Sequence, residues 1–484
     1  MESRTSGDDV GRLWAALAAR GDNICLRSPT AILTAAQVLE RARRAAKRLE
    51  RSGAARGRVL ALWRVPVFDA VPCLLGAWSG GLVTYLADAR EPAAVLERQL
   101  HEVGACLLMT GVDVSAEPVA SVPALEAKRL FGGSGVGVRA SDREAPLLPA
   151  TAATLLRTSG GSGRPKVAVH GLKQHTSATT GAIAALDLRE GDGWFLALPY
   201  NHVGGLSIIF RGILAGAEVM LPDPGQAVAE ALAKLEPTHL SLVPTQLARL
   251  LDTAPASLTR PRSVLLGGDS LSPSLRQRGL ESGVNLAVSY GSTESTAFMA
   301  VTSDPDIVAR PRSNGHVLPD RRLEVSSDGE LRIGGPTLFL GYLDEGRVRD
   351  PRDDDGLFAT GDIGYLDADA VLYVEGRRDR MFISGGENIH PGEIEAALES
   401  IAGVEEAIVV AAPHAEFGHR PIAFLVCTSA APRRAEIEAR LRGELPGYKI
   451  PDAFYRLPED FHASGPQGEQ LLALLEHSSD LEPL

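Results

Sequence analysis

Cysteine is scarce in this chain of 484 residues, and aromatic residues make up only 5% of it. The four cysteines, Cys25, Cys73, Cys106 and Cys427, lie far apart, with no C-x-x-C pair and no Cys/His grouping at metal-ligand spacing. These absences exclude a disulfide-based fold and a zinc-finger site. We therefore expect reduced thiols, a cytoplasmic location and no zinc.

The chain also lacks a long uninterrupted hydrophobic run and an excess of positive charge. Its most apolar stretch, residues 65–86, is broken by Pro66, Asp69, Pro72 and a pair of glycines, which argues against a membrane span. Residues 1–9 are polar and acidic, so no secretory signal is predicted. Lys and Arg number 49 against 61 Asp and Glu, a net charge of −12, which excludes broad binding to nucleic acids or anionic membranes.

Hydrophobic residues (44%) and charged residues (23%) are present in the proportions of a soluble globular protein. Helical and strand patterns alternate up to about residue 150, which predicts βα units around a parallel sheet. From about residue 323 the pattern changes to short strands with turn signals. We predict an α/β fold with a large N-terminal domain (1–378) of helix-flanked sheets, including a β-rich subdomain at about 315–378. A small α+β C-terminal domain (379–484) completes it.

Glycine and hydroxyl residues are concentrated in residues 157–173, which read RTSGGSGRPKVAVHGLK. Clustered glycines let backbone N–H groups converge on an anion, and a lysine adds charge, so we predict a phosphate-binding loop. The spacing is not G-x-x-x-x-G-K-[ST], which excludes the Walker P-loop. A flexible Gly/Ser linker is the alternative. A linker, however, does not need Pro165 and Lys166 next to a buried-strand pattern.

Glycine, polar and aromatic residues also follow three later strand patterns. In chain order they are His202; Gly267, Gly268 and Asp269; and Tyr290, Gly291, Thr293 and Glu294. Because α/β sheets bind ligands at the carboxyl ends of their strands, these residues and the glycine loop can together hold a phosphate, a flat ring and a divalent cation. Asp362 follows a tight turn and can take both hydroxyls of a ribose. Its alternative role is turn capping.

Two longer stretches carry a recognisable signature. LPYNHVGGLSIIFRGILAG surrounds His202, and MFISGGENIHPGEIE begins at Met381. Together with the glycine loop and the strand ends, they resemble the adenylate-forming superfamily of acyl-CoA synthetases, luciferases and peptide-synthetase adenylation domains, over roughly residues 10–458. The chain looks most like the o-succinylbenzoate–CoA synthetase branch. The resemblance implies two half-reactions: a carboxylate attacks the α-phosphate of ATP, and coenzyme A then attacks the acyl-adenylate after the C-terminal domain swings about a hinge.

The resemblance also implies residue roles. The phosphates of ATP would be held by Thr158, Ser159, Gly160, Ser162, Gly163 and Lys166. The adenosine and acyl groups would lie against Gly267, Gly268, Asp269, Tyr290, Gly291, Asp362 and Arg377. The catalytic residues would be His202 at the acyl carbonyl, Thr293 at the α-phosphate, and Glu294, which would hold Mg²⁺ in the ATP-bound state. Asp379 would be the hinge, and Ser384, Gly385, Gly386 and Glu387 would enter the site for the thioester step. The implied cofactors are the AMP moiety of an acyl-adenylate and coenzyme A, with ATP and Mg²⁺ if adenylation is retained.

One C-terminal position departs from the family pattern. In the family a lysine follows an LP pair and reaches the α-phosphate during adenylation. Here the LP pair is Leu457-Pro458, and Pro466 and Gln467 stand where that lysine belongs. No lysine follows Lys449. The loss of one preorganised charge at a transition state costs on the order of 10²–10³ in rate.

We therefore expect an acid–thiol ligase that transfers the acyl group of a preformed acyl-adenylate to coenzyme A and is impaired in adenylation. A separate adenylating enzyme would then be its partner. The first alternative is a complete ATP-dependent acid–CoA ligase in which Arg442 or Lys449 replaces the missing cation. The second is a non-catalytic adenylate-binding protein. A homodimer is compatible with the family, and no nucleic-acid or membrane partner is expected.

The acyl pocket is expected around residues 202–207, 267–270 and 289–295. These residues are small and mostly uncharged, which permits a bulky or aromatic acid. None of them is a clear basic residue that could pair with a second carboxylate. For that reason o-succinylbenzoate, which has two carboxylates, is only one candidate among others. The Ala-, Gly- and Arg-rich composition is compatible with a GC-rich bacterial genome and a role in specialised metabolism.

Overall fold

The structure is a computed structural model that describes residues 6–111, 123–126, 140–141, 145–158, 166–268, 271–302, 304–384, 387–414, 417–428, 432–445, 447–457, 471 and 482–483. The helices in these residues are α1 (Ser6–Arg20), α2 (Ala35–Arg51), α3 (Val67–Ser79), α4 (Ala93–Glu102), α5 (Leu172–Ala185), α6 (Val203–Ala215), α7 (Val228–Leu235), α8 (Pro244–Thr253), α9 (Pro255–Leu258), α10 (Pro273–Glu281), α11 (Asp304–Ala309), α12 (Pro391–Glu399) and α13 (Arg434–Glu444). Short 3-10 turns span Arg378–Arg380 and Gly447–Lys449.

The strands up to the middle of the chain are β1 (Ile24–Arg27), β2 (Ile32–Thr34), β3 (Val59–Trp63), β4 (Val83–Leu86), β5 (Ala105–Thr110), β6 (Ala124–Glu126), β7 (Ala152–Arg157), β8 (Val167–Gly171), β9 (Gly193–Leu196), β10 (Glu218–Met220), β11 (His239–Leu242), β12 (Ser263–Leu266), β13 (Leu286–Ser292) and β14 (Ala297–Val301). The later strands are β15 (Gly315–Val317), β16 (Arg322–Val325), β17 (Glu330–Gly334), β18 (Gly341–Asp344), β19 (Arg347–Arg349), β20 (Phe358–Leu366), β21 (Val371–Arg377), β22 (Phe382–Ser384), β23 (Glu387–Ile389), β24 (Val404–His414), β25 (Gly418–Cys427), β26 (Ala453–Arg456) and β27 (Glu482–Pro483).

Among the described residues, thirteen strands form the largest sheet, in the order β16-β17-β20-β21-β15-β14-β13-β12-β11-β9-β10-β1-β2. Apart from the edge strand β2, the half from β1 to β13 is parallel. From β13 to β16 each neighbour is antiparallel. Strand direction therefore changes at β13, and the carboxyl ends of β9, β12 and β13 lie along the same edge, where such sheets bind ligands.

A second sheet of eight described strands has the order β19-β18-β8-β7-β4-β3-β5-β6. It is parallel from β7 to β6, and the hairpin of β7 and β8 reverses the direction. Strand β18 pairs with β8, whereas β15, β16, β17, β20 and β21 belong to the largest sheet. The strands of residues 315–377 are thus divided between two sheets, and this division places Tyr342 opposite Ala168.

The C-terminal part has a sheet and a core of its own. Strands β22 to β27 pair with one another, and β24 and β25 form a long antiparallel hairpin. Helices α12 and α13 pack against this sheet through Ile394, Leu398, Ile437 and Leu441, all buried. The residues of this core all come from the C-terminal part.

The local sequence explains the main elements. Strands β3, β4 and β5 are mostly apolar and are buried along their whole length, as expected for parallel strands covered on both faces. Helix α2 presents Val38, Ala42 and Leu49 to the core at helical spacing. Its first turn is stabilised by a capping box in which Thr34 and Gln37 bond reciprocally.

The predicted α/β fold, with a large N-terminal part and a small C-terminal part, is confirmed by these sheets. The limits 1–378, 315–378 and 379–484 stay predictions. No helix in the described residues is both long and apolar enough to cross a bilayer. The four cysteines are buried free thiols.

Candidate active site

The glycine loop joins two antiparallel strands, β7 and β8. Its ends are closed by a hydrogen bond from the Thr158 N–H to the Lys166 carbonyl (2.8 Å) and by one from the Lys166 N–H to Thr158 Oγ1 (3.4 Å). Thr158 is buried and the Lys166 side chain is exposed. Four predicted loop residues lie outside the described residues: Ser159, Gly160, Ser162 and Gly163. Phosphate binding by this loop therefore stays a prediction.

Gly291 lies near the end of β13, and the turn between β13 and β14 carries Thr293 and Glu294. A Cβ at Gly291 would lie 2.1 Å from the Ala297 carbonyl oxygen, so this position requires glycine. Thr296 and Ala297 have φ angles of 56° and 100°. Such left-handed backbone costs on the order of 1–3 kcal/mol at each non-glycine residue and is concentrated at functional sites.

Three hydrogen bonds hold Thr293 and Glu294 in place. His170 Nε2 donates to the Thr293 carbonyl oxygen (2.7 Å), and the Phe339 N–H donates to the Glu294 carbonyl oxygen (2.8 Å). The Tyr342 hydroxyl donates to Glu294 Oε1 (2.6 Å). The backbone of the turn is therefore fixed from β8 and from the segment that leads into β18, and its carboxylate from β18 itself.

His170 and His175 are buried neighbours whose ring centroids lie 5.4 Å apart. Burial lowers the pKa of His170 to about 4, against the opposing effects of the Thr293 carbonyl and Glu294. Burial, reinforced by His170, also lowers the pKa of His175. Both imidazoles are therefore neutral at pH 7. Because a carbonyl only accepts hydrogen bonds, the His170 ring carries its proton on Nε2.

Tyr290, Asp362 and Arg377 form one hydrogen-bonded group. The Tyr290 hydroxyl donates to Asp362 Oδ2 (2.6 Å), and Arg377 Nη1 donates to Asp362 Oδ1 (3.2 Å) and to the Thr360 carbonyl (2.8 Å). Burial raises the pKa of Asp362 despite these two partners, and burial together with Asp362 raises the pKa of Tyr290. The structure thus brings together three residues that the resemblance assigns to adenosine. Their contacts with a nucleotide stay a prediction.

His202 and the glycines after β12 lie at two further strand ends. His202 precedes α6, and desolvation lowers its pKa below 6.5, with Asp88 opposing and Arg90 reinforcing the shift. A Cβ at Gly267 would lie 2.6 Å from Ser289 Oγ. Gly268 has a φ of 86°, which favours glycine. Asp269 lies outside the described residues.

Arg211 of α6 is a buried cation that the sequence interpretation did not single out. Its side chain is 2% exposed, and Nη2 donates to Ser207 Oγ (2.5 Å). Its Nε and Nη1 have no hydrogen-bond partner in the described structure. The guanidinium lies over the rings of Trp194 (4.5 Å) and Phe298 (5.3 Å).

Burial lowers the pKa of Arg211 to about 9, so the side chain remains charged at pH 7. A buried charge without an ionic partner is costly, which favours an anionic ligand at this position. The available sequence signal was an arginine within the otherwise apolar helix VGGLSIIFRGILA, because charged side chains are rarely buried unless paired.

The predicted hinge lies in the 3-10 turn Arg378–Arg380, directly after β21. The following hairpin carries Ser384, which is buried and accepts a hydrogen bond from Arg420 Nη1 (3.4 Å). The side chains of Asp379 and Glu387 lie outside the described part of the structure, and so do Gly385 and Gly386. The roles of these residues in the thioester step stay predictions.

Both cations considered as replacements for the missing lysine already have acidic partners. Lys449 Nζ lies 2.5 Å from Glu393 Oε2, and its side chain is 13% exposed. Arg442 lies 3.8 Å from Glu438 on α13. Pro466 and Gln467 lie outside the described residues, as does the rest of 458–470. The adenylating cation is therefore not identified by these contacts.

The residues of the β13–β14 turn fit a magnesium–nucleotide complex. Glu294 Oε1 accepts from Tyr342, while no described residue donates to Oε2. Within the described residues, no three His, Cys, Asp or Glu side chains gather as a metal site. Mg²⁺ in nucleotide sites is commonly bound by one or two carboxylates, substrate phosphates and water. A single carboxylate at Glu294 matches that donor set.

Two family profiles match the chain. The profile described as AMP-binding enzyme matches residues 13–343, and that of the AMP-binding enzyme C-terminal domain matches residues 393–463. The chain belongs to the AMP-binding enzyme family. The first match includes the glycine loop, His202 and the β13–β14 turn, and the second begins within α12.

This AMP-binding enzyme is 31% identical over 458 residues to the 2-succinylbenzoate–CoA ligase of Bacillus licheniformis, covering 88% of this chain and 92% of that relative. The o-succinylbenzoate–CoA synthetase of Bacillus subtilis, in complex with the acyl-adenylate intermediate OSB-AMP, matches with a TM-score of 0.82 and 26% identity over 97% of this chain and 99% of that one. The Bacillus subtilis enzyme with ATP and magnesium ion matches with a TM-score of 0.79 and 27% identity, covering 92% and 95%.

These findings confirm the adenylate-forming superfamily and its o-succinylbenzoate–CoA synthetase branch. They also support the acid–thiol ligase class predicted from the sequence. They give no support to an impaired adenylation step.

Proposed function

We propose that this AMP-binding enzyme is a complete ATP-dependent acid–CoA ligase for an aromatic acid that carries a second carboxylate, with o-succinylbenzoate as the first candidate. The observation that carries the reaction class is the grouping of Tyr290, Asp362 and Arg377 at the edge that also holds Thr293 and Glu294. Relatives named as ligases, and solved with ATP and magnesium or with an acyl-adenylate, favour this reading over the impaired ligase.

The acyl group is inferred from Arg211. Its guanidinium donates a hydrogen bond to Ser207, a residue of the predicted acyl pocket. Two of its nitrogens have no hydrogen-bond partner in the described structure. A second carboxylate on the substrate would pair with this charge and offset its burial. Arg211 thereby supplies the basic residue that the sequence interpretation did not find. The neighbouring Trp194 and Phe298 rings suit an aromatic acid.

In the first half-reaction, a carboxylate oxygen of the acid attacks the α-phosphorus of ATP, the bond to the bridging oxygen breaks, and pyrophosphate leaves. Thr293 would donate to the α-phosphate, and Lys166 would face the outer phosphates. Mg²⁺ supplies charge neutralisation at the phosphates when bound, with Glu294 as its protein ligand. Asp362 and Arg377 would hold the ribose, and Tyr290 would lie against the adenine.

In the second half-reaction, the sulfur of coenzyme A attacks the acyl carbonyl carbon, the bond to the AMP oxygen breaks, and the thiol proton is lost to solvent. His202 would lie beside this carbonyl. Its lowered pKa keeps the ring neutral at pH 7. A neutral ring can accept a proton or a hydrogen bond from the incoming thiol.

A second candidate is a ligase that performs only the thioester step on a preformed acyl-adenylate. It is favoured by one specific observation, the absence of any lysine after Lys449 in the sequence. The ion pair of Lys449 with Glu393 also favours this second candidate, because Lys449 would have to leave Glu393 to assist adenylation.

Pyrophosphate release separates the two candidates. Purified protein would receive o-succinylbenzoate with ATP and Mg²⁺, or synthetic o-succinylbenzoyl-adenylate, each with coenzyme A. We expect pyrophosphate, AMP and thioester from the first mixture and thioester from the second. Thioester from the adenylate alone would select the second candidate, and a Gln467→Lys variant would then test the missing cation. No thioester from either mixture would reject the proposed substrate.

A further inference from the structure

Tyr342 lies between two groups of opposite charge that come from separate parts of the site. Its hydroxyl donates to Glu294 Oε1 (2.6 Å), and Lys166 Nζ lies 4.8 Å from the centroid of its ring. Lys166 ends the glycine loop, Glu294 belongs to the β13–β14 turn, and Tyr342 stands on β18. No ion pair joins Lys166 and Glu294 in the described structure.

The fold fixes the position of the Tyr342 ring. Strand β18 pairs with β8, which follows the glycine loop directly, and Tyr342 stands opposite Ala168. The ring packs edge-on against Phe339 (4.8 Å) and Phe358 (6.3 Å). At Gly341 a Cβ would lie 2.3 Å from the Arg349 carbonyl oxygen, so the strand is held close to its neighbour.

We propose that Tyr342 is a positioning residue that keeps Glu294 oriented for a divalent cation and keeps Lys166 apart from Glu294, facing the phosphates. The proposal rests on the proposed function, because it concerns the magnesium–ATP complex. With Oε1 engaged by the hydroxyl, the carboxylate presents Oε2 to the cation. Without the phenol, an exposed lysine and a nearby carboxylate can pair with each other, and such a pair would occupy both ligand-binding groups.

The chemistry of tyrosine suits this role. The Tyr342 hydroxyl is a donor that carries no charge of its own, and it already donates to Glu294 Oε1 in this structure. The face of the ring attracts an ammonium group without neutralising it, so Lys166 keeps its full charge for a phosphate. A phenylalanine at this position retains the ring contact and removes the hydroxyl alone, which allows the two functions to be separated.

The test compares Tyr342→Phe and Tyr342→Leu with wild-type protein. Calorimetry would measure ATP affinity in Mg²⁺ and in EDTA, and thioester formation from synthetic acyl-adenylate would report the second half-reaction. We expect Tyr342→Phe to lose about tenfold of the Mg²⁺-dependent gain in ATP affinity, since a hydrogen bond to a charged group is lost. It should keep its ATP affinity in EDTA and its thioester rate. Tyr342→Leu should also weaken ATP binding in EDTA, by about threefold, through the lost Lys166 contact.

Tyr365→Phe is the matched control, because Tyr365 is 46% exposed on β20 and is not part of the site. A Glu294→Gln variant completes the cycle: if Tyr342 acts through Glu294, adding Tyr342→Phe to it causes no further loss. An unchanged Mg²⁺ gain in Tyr342→Phe, or a further loss in the double variant, would overturn the inference. Loss of the thioester step in Tyr342→Phe would also overturn it, since a general structural defect would then be the cause. Wild-type protein whose ATP affinity does not respond to Mg²⁺ would reject the proposed function itself, and the inference with it.

Discussion

The nucleotide side and the acyl side of the site treat their polar groups in opposite ways. On the nucleotide side Tyr290, Asp362 and Arg377 satisfy one another before any ligand is present. On the acyl side Arg211 is more deeply buried, yet two of its nitrogens lack partners in the described structure. The first arrangement is preorganised by the protein, whereas in the proposed function the second is completed by a carboxylate of the substrate. Binding of the nucleotide should therefore tolerate changes of acid, and stability should depend on what fills the acyl side.

The largest effect is expected from removing the cation of the proposed acyl side. Arg211→Met removes the only proposed partner of a second carboxylate, so we expect use of o-succinylbenzoate to fall by about 10²–10³-fold, on the scale of a broken buried ion pair. Use of benzoic acid, which has no second carboxylate, should be unchanged. The ratio of kcat/KM for the two acids is the measurement.

The stability of the Arg211→Met variant tests the same difference between the two sides of the site. Replacing an unpaired buried guanidinium with an apolar side chain of similar length should raise the free energy of unfolding by about 1–4 kcal/mol, measured by urea denaturation without ligand. An equal loss for both acids, or a less stable protein, would contradict a carboxylate-binding role for Arg211.

A smaller effect concerns the pH dependence on the nucleotide side. The pKa of His170 is about 4 in the folded protein against 6.5 in the ordinary range, so the unfolded state binds more protons between these values. The contribution of the neutral, buried His170 to the free energy of unfolding is complete above about pH 6.5. It is lost as the pH falls toward 4, which lowers that free energy by about 3 kcal/mol. Urea denaturation of wild type and His170→Gln across this range should show a shallower slope in the variant. The two proteins should be compared first at pH 8, where the imidazole of wild type is neutral in the folded and the unfolded state. If the free energy of unfolding then depends on pH equally in both proteins, the lowered pKa of His170 is refuted.

The smallest effect tests the preorganised group. Asp362→Ala leaves the Tyr290 hydroxyl and one Arg377 contact without their partner, and it removes the proposed ribose ligand. We expect AMP affinity to fall by about 10–100-fold, since a hydrogen bond from the ribose to a charged carboxylate contributes about 1.5–3 kcal/mol. Calorimetric titration with AMP is the measurement. Wild-type affinity in this variant would show that the nucleotide does not contact the group.

Local patterns were sufficient to predict the α/β fold and the residues at the strand ends. Tyr290, Asp362 and Arg377 were assigned by motif, and the structure brings them together because β13, β20 and β21 belong to one sheet. Arg211 was harder to find, because its meaning depends on burial rather than on a motif. The contact of Tyr342 with Glu294 joins strand β18 of one sheet to the β13–β14 turn of the other, and no local pattern encodes that pairing. The glycine loop and the segment after Pro458 lie largely outside the described residues, so the phosphate-binding roles of Ser159, Gly160, Ser162 and Gly163 and the effect of the missing lysine stay predictions.

The change of strand direction at β13 has a consequence for how such an enzyme acquires new substrates. The proposed acyl side rests mainly on helix α6 and the parallel strand β9, with Phe298 of β14 beside it. The proposed ribose-binding group rests on β13 and the antiparallel strands β20 and β21, and β13 pairs with a parallel neighbour on one side and an antiparallel one on the other. On the proposed function, a few replacements along α6 would alter the acid that is accepted and leave the proposed ribose-binding group unchanged. The residue proposed to select the acid and the group proposed to hold the nucleotide thus lie on different elements around one continuous sheet.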